Sequence, residues 1–410
     1  MNIVLINHYA GSPEMGMEFR PYYFAREWTK MGHRVHILAA DYSHLRIRNP
    51  DVTKDFQTEK IDGIYYHWIR TGKYEGNGVR RALTMFRFVG KLWVAAKKIA
   101  KIWKPDVVIT SSTYPLDTYA GQRIARMCGV KLIHEVHDMW PATLVELGGM
   151  HRFHPFVMAM QAAENSFCRN SDYVVSLPQN AKKYFMAHGL EPHKFVYIPN
   201  GVVLRDWEYK ENLPEEHQWL LQELKRNKQF IIGYFGGHAL SNALDTLLDA
   251  AKRITNQKIQ FVFVGDGVEK PRLVKRAQQE QIKNVHFLPA VSKKAIPNLV
   301  SYFDCSIMCA ADSSLYRFGM CFNKLYDSMM AAKPVIAAIR IPDSLIRACK
   351  CGIMVRPQDD EMLAQVVEKM YRLPAAQREW MGKNGKQAVL QHFTYDILAK
   401  KFASLFDSER

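Results

Sequence analysis

The stretch IIGYFGGHALSNALDTLLDAAKRI, residues 231 to 254, decides the fold. Ile231–Phe235 is an apolar run that does not alternate with polar residues. Such a run marks a strand of a parallel sheet buried on both faces. Gly236-Gly237 turns the chain, and a helix is expected over Ala243–Ile254. Parallel strands need helical crossovers, so a strand, a tight glycine turn and a helix read as one unit of a doubly wound α/β domain.

Working outward, the same grammar fills the chain. In the first half, strands are expected at Ile3–Asn7, Val35–Ala39, Ile64–Ile69, Val107–Ser111, Leu132–Val136, Tyr173–Leu177 and Phe195–Ile198, with helices at Phe19–Met31 and Tyr119–Cys128. After Asn200-Gly201 comes a polar, acid-rich stretch, RDWEYKENLPEEHQ, read as a surface connection or a peripheral helix. Strands then follow at Ile231–Phe235, Phe261–Val264, Val285–Leu288, Cys305–Cys309, Val335–Ala338 and Ile353–Val355, with a further helix at Glu361–Tyr371. The fold class expected is α/β, with two Rossmann-like, doubly wound parallel-sheet domains facing a cleft. The boundaries expected are 1–200 and 201–390. Ligands of such sheets bind at the carboxyl ends of the strands.

A chain of 410 residues accommodates two such domains, and 48% hydrophobic content excludes a disordered class. No window reaches the roughly 18 apolar residues of a membrane span, and the first residues read as a strand rather than a signal peptide. The 7 cysteines show no paired spacing, which fits reduced thiols. The net charge of +16 is spread over both halves, with 26 Lys/Arg against 17 Asp/Glu in residues 1–200. It favours an anionic partner without choosing one.

One segment concentrates that charge. Residues Gly76 to Pro105 carry eight basic and no acidic residues. Helical spacing puts Ala82, Met85, Phe86, Val89, Leu92, Trp93, Ala96, Ile99, Ala100 and Trp103 on one side, and Arg80, Arg87, Lys91 and Lys98 on the other. This is a helix packed on a sheet with a solvated basic face. That face, between Arg80 and Lys104, can also lean on an anionic membrane surface.

Four motifs carry candidate chemistry. The Gly236-Gly237 turn before a helix lets backbone approach an anion. HYAGSPEMGMEFRPY follows the first strand and supplies Gly16, Glu14 and Arg20, the last able to meet a diphosphate or a substrate acid group. LIHEVHDMWPATLVELGGM ends an apolar strand in Glu135, His137 and Asp138, an imidazole beside acids. FNKLYDSMMAAKPVIAA, Phe322 to Ala338, opens a short helix with Lys324 and Asp327 three residues apart. The lysine can neutralise a phosphate at the helix N-terminus, and the aspartate can accept two ribose hydroxyls. Otherwise the two form an exposed ion pair of little worth.

In their order along the chain, these motifs resemble glycosyltransferase family 4 of the GT-B enzymes, in its bacterial O-antigen and capsule branch. IPNGV, FVFVGDG and VHFLPAVSKKAIPNLVSYFDCSIM match as well, so the resemblance covers nearly the whole chain. It implies a retaining, metal-independent transferase with no cofactor, using a nucleotide-sugar donor, with UDP and an N-acetylated hexosamine the expected type. By resemblance, the backbone around Phe287 to Ala290, Leu288 included, holds the base and Asp327 the ribose. Lys324, with Asn323 beside it, and the Gly236, Gly237 and His238 turn hold the diphosphate, with Arg317 sharing the charge and Gly16 closing from the first domain. His137 lies near the transferred sugar, Asp138 orients it or helps bind the acceptor, and Glu14 and Arg20 face the acceptor. That acceptor is expected to be a polyprenyl-diphosphate-linked saccharide, at the inner face of the plasma membrane. The C-terminal helix, read in one piece over AVLQHFTYDILAKKFASLF, is expected to cross back onto the first domain from about residue 390. The chain departs from the family pattern in two respects: the turn after the first strand of the second domain reads GGHALSN, without the Arg and Lys that many relatives carry near it, and eight positions before Asp327 stands Gly319, not an acid. Tyr316 is the residue there on a shifted alignment, and Asp312 is the nearest acid. A sugar-nucleotide epimerase of the same fold is the alternative enzyme. Nucleic acid is not expected as a partner, since no binding motif accompanies the charge.

Overall fold

The structure, a computed structural model, describes residues 1–16, 19–76 and 78–407. The chain divides into two compact units. Unit 1 comprises Met1–Asn200, Phe318–Cys321 and the C-terminal segment from Tyr395; unit 2 comprises Gly201–Arg317 and Phe322–Thr394.

Unit 1 is built on an eight-stranded sheet. Its strands are β1 (Asn2–Ile6), β2 (Arg34–Ala40), β3 (Gln57–Ile61), β4 (Ile64–Ile69), β5 (Val107–Thr110), β6 (Lys131–Val136), β7 (Tyr173–Ser176) and β8 (Phe195–Tyr197), in spatial order β3-β4-β2-β1-β5-β6-β7-β8. All pairings are parallel except β3 with β4. The expected strands are present, since each is a Val/Ile/Leu run that helices cover on both sides. β3 was not expected: QTEKI is polar and largely exposed, and pairs only at the sheet edge. The order reverses between β1, whose crossover leads to β2, and β5, which lies on its other side.

Unit 2 carries β9 (Phe230–Phe235), β10 (Ile259–Val264), β11 (Val285–Leu288), β12 (Cys305–Cys309), β13 (Val335–Ala338) and β14 (Gly352–Val355), all parallel, in spatial order β11-β10-β9-β12-β13-β14. Here the order reverses between β9 and β12. The core of one face joins Tyr234, Leu247, Leu248, Phe261 and Phe263 to Leu363 and Val367 of the Asp360–Arg372 helix.

The Val79–Trp103 helix is present, but turned from the expected orientation. Met85, Phe88, Leu92, Ala96 and Ile99 are its buried stripe, whereas Phe86 and Trp93 lie 45% and 43% exposed. The aromatics at 86 and 93 are displaced from the seam because Phe88 fills it. The basic face is partly spent inward as well. Lys91 Nζ binds Asp55 at 2.7 Å, and the Arg87 guanidinium donates to the Thr71 carbonyl.

The C-terminal stretch is broken. One helix ends at His392, and another runs over Tyr395–Asp407. The second belongs to unit 1 and packs on the Phe19–Lys30 helix. Phe402 stacks edge-on against Phe24 and Trp28, at 5.4 and 5.1 Å between ring centroids. Trp28 Nε1 donates to the Ala399 carbonyl at 3.2 Å. Lys131 Nζ donates to the Leu405 and Phe406 carbonyls, where a helix C-terminus gathers partial negative charge.

Candidate active site

Each sheet brings chemistry-bearing residues to its own switch point. In such sheets the connections leave in opposite directions there and open a crevice.

In unit 2 that point lies where β9 and β12 end. Gly236 adopts φ +133°, which only glycine takes without strain, and a Cβ there would stand 3.6 Å from Lys324 Nζ. Gly236 and Gly237 are exposed. The turn is anchored by Tyr234, whose hydroxyl donates to the Gly237 carbonyl at 2.7 Å, and by Asn242 Nδ2, which donates to the same carbonyl at 2.9 Å. Asn242 is held in place by neighbouring β12: Cys309 Sγ donates to its carbonyl.

Lys324 enters this turn from the Asn323–Met330 helix. Its stem is partly exposed, but its ammonium is enclosed. Nζ lies 4.6 Å over the Tyr234 ring and 5.4 Å from the Phe322 ring, with Asn242 Oδ1 at 3.1 Å and the Tyr234 hydroxyl at 3.3 Å. Among the described residues no carboxylate pairs with it, and burial brings its pKa down to about 8. Phe322, at the N-cap, has no side-chain oxygen, and the first turn contains no acid. An uncapped helix start beside an unpaired buried cation attracts an anion.

The structure places the other expected donor residues as follows. Asn323 opens the helix and is exposed. Asp327 is buried on the same helix, and its Oδ2 holds Lys293 Nζ at 2.5 Å, an ion pair already made in the free protein. Arg317 is exposed and donates to the Ser314 carbonyl at 2.7 Å. Asp312, the nearest acid to the departed family position, pairs with Arg340 at 3.1 Å.

Two donor-side expectations are corrected. The Leu288 carbonyl is occupied: it accepts from Gly265 N at 3.2 Å and Lys270 Nζ at 2.9 Å, which uses both lone pairs, and its side chain is in the core. His238 is no phosphate ligand. Its ring is fully buried, its nitrogens have no partner among the described residues, and burial, then Lys270, lowers its pKa to about 4, so it is neutral. Its amide is spent on the Asp266 carbonyl at 2.8 Å, as that of Gly236 is on Val264 at 3.0 Å.

In unit 1 the switch point gathers the ends of β1, β5 and β6. Asn7 Nδ2 donates to the Ser111 carbonyl at 2.5 Å, and Asp117 Oδ2 accepts from Ser112 N at 2.9 Å. Asp117 is fully buried with Oδ1 unpartnered among the described residues, and burial raises its pKa to about 7. His137 Nε2 lies 3.0 Å from Glu135 Oε2 and 2.9 Å from Ser111 Oγ.

Two expectations here are corrected as well. The carboxylate on His137 is that of Glu135. Asp138 spends its oxygens on its own turn, accepting from Met139 N at 2.8 Å, Thr143 Oγ1 at 2.9 Å and Trp140 Nε1 at 3.3 Å. Arg20 does not face an acceptor. It is buried, and its guanidinium makes four hydrogen bonds within unit 1. They go to Glu135 Oε1, to the Ile198 and Pro199 carbonyls and to Asn200 Oδ1, at 2.6 to 3.1 Å. Glu14 is exposed on a turn. Gly16 adopts φ +70° with the Ile47 side chain 2.9 Å from where a Cβ would stand.

Sequence reasoning missed Tyr234, Asn242, Lys293, Ser111 and Asp117 as site residues. The signal for Ser111 and Asn242 was their place at the ends of switch-point strands and turns.

Comparison with known proteins identifies the family of the chain. Residues 15–206 match the family model described as Glycosyltransferase Family 4, and residues 216–388 that described as Glycosyl transferases group 1. The chain is 24% identical over 310 residues to the putative colanic acid biosynthesis glycosyl transferase WcaI of Escherichia coli, covering 72% of this chain and 74% of that one. It is 21% identical over 344 residues to the probable glycosyltransferase WbjE of Pseudomonas aeruginosa, covering 80% and 79%. Its fold is similar to that of Anabaena HepE, solved in complex with UDP and glucose, with a TM-score of 0.66, 16% identity and 99% of each chain covered. The chain belongs to the family 4-like glycosyltransferases of the GT-B fold.

Proposed function

We propose that this glycosyltransferase moves a hexosyl group from a UDP-sugar, of the N-acetylhexosamine type, onto a polyprenyl-diphosphate-linked saccharide. Its place is the inner face of the plasma membrane, in the building of a cell-surface polysaccharide. The reaction retains the anomeric configuration and uses neither metal nor cofactor. The observation that carries this reading is Lys324, whose enclosed ammonium lacks a carboxylate partner among the described residues and stands at an uncapped helix start.

As the bond from anomeric carbon to phosphate oxygen breaks, negative charge grows on the leaving diphosphate. A fixed cation and a helix N-terminus stabilise that charge more in the transition state than in the ground state. They do so without the metal ion that other transferases use. The acceptor hydroxyl then attacks from the face the diphosphate leaves. Its proton passes to the departing phosphate oxygen, so the reaction needs no protein nucleophile. His137, oriented at the β6 end, lies by the transferred sugar.

The acceptor's membrane location is supported by the Val79–Trp103 helix. Val79, Leu83, Phe86, Trp93 and Val94 are all exposed, on one helical face that continues into Lys97 and Lys101. Exposed apolar residues flanked by exposed lysines suit the headgroup boundary of an anionic leaflet. Among the described residues, no helix is long and apolar enough to cross a membrane.

A thermal-shift screen with UDP, GDP, ADP and their sugars, run with and without Mg²⁺, tests the donor reading. UDP and a UDP-N-acetylhexosamine are expected to raise Tm in the presence of EDTA. Stabilisation by another nucleotide, or only with Mg²⁺, would overturn it.

A further inference from the structure

Glu135 is the penultimate residue of β6 and His137 the first residue beyond it, two positions on, and their side chains meet on one side of the chain. Glu135 is 1% exposed, in a position where a lone carboxylate would take up a proton. Burial alone would raise its pKa; Arg20, then His137 and Ser111, reverse this and hold the carboxyl well below the usual range. Oε1 faces Arg20, whose Nε stands at 3.0 Å and whose second terminal nitrogen at 2.9 Å. Oε2 faces the other way, toward Ser111 Oγ at 2.6 Å and His137 Nε2 at 3.0 Å.

An ionised carboxylate only accepts hydrogen bonds. The atom it faces on the imidazole must therefore carry the proton. We propose that Glu135 is a positioning residue, which holds His137 as the Nε2–H tautomer with its ring fixed at the β6 end. A neutral His137 then has its lone pair on Nδ1, the tautomer that accepts a hydrogen bond from a sugar hydroxyl and orients it. The clamp extends further. Arg20, which fixes Glu135, also binds the Ile198 and Pro199 carbonyls and Asn200, the last residues of unit 1 before the chain passes into unit 2. Asn200 N in turn donates to Cys321 Sγ at 3.0 Å. The imidazole is thereby fixed to the segments by which the chain leaves and re-enters unit 1.

A buried ion pair that merely stabilised the fold would make no demand on the imidazole tautomer, so the tautomer discriminates. The inference rests on the sugar-transfer reading for its effect on rate, but not for the tautomer itself. In Glu135→Gln, Arg20 selects the amide oxygen as its partner. The amide NH₂ then points at His137 Nε2, which must become an acceptor, so the proton moves to Nδ1.

The experiment is two-bond ¹H–¹⁵N NMR of the full chain labelled at histidine, together with steady-state transfer kinetics. Wild type is expected to show His137 as Nε2–H. Glu135→Gln is expected to show Nδ1–H and a kcat lowered about tenfold or more, with the donor KM within about twofold. Ser111→Ala, which leaves the carboxylate ionised, is expected to keep Nε2–H. A wild-type His137 found as Nδ1–H overturns the proposal without recourse to any variant. So does an unchanged tautomer in Glu135→Gln. A switched tautomer with unchanged kcat overturns the role in transfer and places the error in the reading of His137. If wild type transfers no sugar from any donor, the transferase reading fails, and the tautomer still decides on Glu135.

Discussion

Replacing Lys324 by methionine should make the free protein no less stable at neutral pH while removing its grip on a nucleoside diphosphate. The folded site releases its proton at about 8, whereas the unfolded chain keeps it to 10.5. Between those values the unfolded state binds more protons, so wild-type stability rises with pH across pH 8 to 10.5 and the cost of burial is fully present below pH 8. At about 1.4 kcal/mol per pH unit, that cost is about 3 kcal/mol. Lys324→Met recovers it, less what is lost by leaving Asn242 Oδ1 without its donor, the Tyr234 hydroxyl keeping its bond to the Gly237 carbonyl. Its stability should also stop climbing above pH 8. A bound diphosphate keeps the lysine protonated, so above pH 8 binding must take up a proton, and affinity should fall about tenfold per pH unit. Losing one charge-assisted contact costs about 1.5–3 kcal/mol, so Lys324→Met should bind UDP about 10- to 150-fold more weakly. Calorimetric titration of UDP at pH 7.5, 8.5 and 9.5, in two buffers of different ionisation enthalpy, measures both affinity and proton uptake. A UDP affinity independent of pH over that range, with Lys324→Met binding as wild type does, would refute the reasoning.

Three further outcomes are expected. Asp117, with its pKa raised to about 7 from 3.8, favours the folded state at acid pH, an advantage lost as pH rises through 7. Asp117→Asn should therefore raise Tm at pH 8, by up to about 4 kcal/mol of stability, and not at pH 4, as read by melting at the two pH values. Leu83→Gln, Phe86→Gln and Val94→Gln change exposed positions, so each should alter stability by no more than about 0.5 kcal/mol. Together they should abolish co-sedimentation with vesicles rich in anionic lipid, while binding that persists would sink the membrane reading. Phe402→Ala should cost about 3–5 kcal/mol in denaturant unfolding, because Phe402 is fully buried between Phe24, Trp28 and its own helix.

Most of the architecture was legible because a doubly wound domain writes each strand as an uninterrupted apolar run. The exceptions follow from the same physics. β3, QTEKI, lies at an edge and has little to bury. The break at Phe393-Thr394 was hidden because the pattern is helical on both sides, and the chain leaves unit 2 there. On the Val79–Trp103 helix, periodicity offered a broad apolar arc, and only packing decides that Phe88 enters the core while Phe86 and Trp93 stay outside.

The candidate site was legible where one segment carries the signal. Lys324 stands in the first turn of its own helix, so sequence alone placed it. Its partners Tyr234 and Asn242 arrive from β9 and the turn beyond, about 80 to 90 residues away in sequence. Arg20 was misread for the same reason. Its place after the first strand suggested a ligand, but its partners Glu135 and Ile198–Asn200 lie 115 to 180 residues on. Asp138 and Glu135 are both neighbours of His137 in sequence. Strand geometry gives the imidazole to the residue two positions away, not the one beside it.

The most direct test of the account is the anomeric configuration of the product formed from an α-linked UDP-sugar and a polyprenyl-diphosphate saccharide in EDTA, read by NMR. The account predicts transfer without metal and an α-linked product. A β-linked product, or transfer only when a divalent metal is restored, would contradict it.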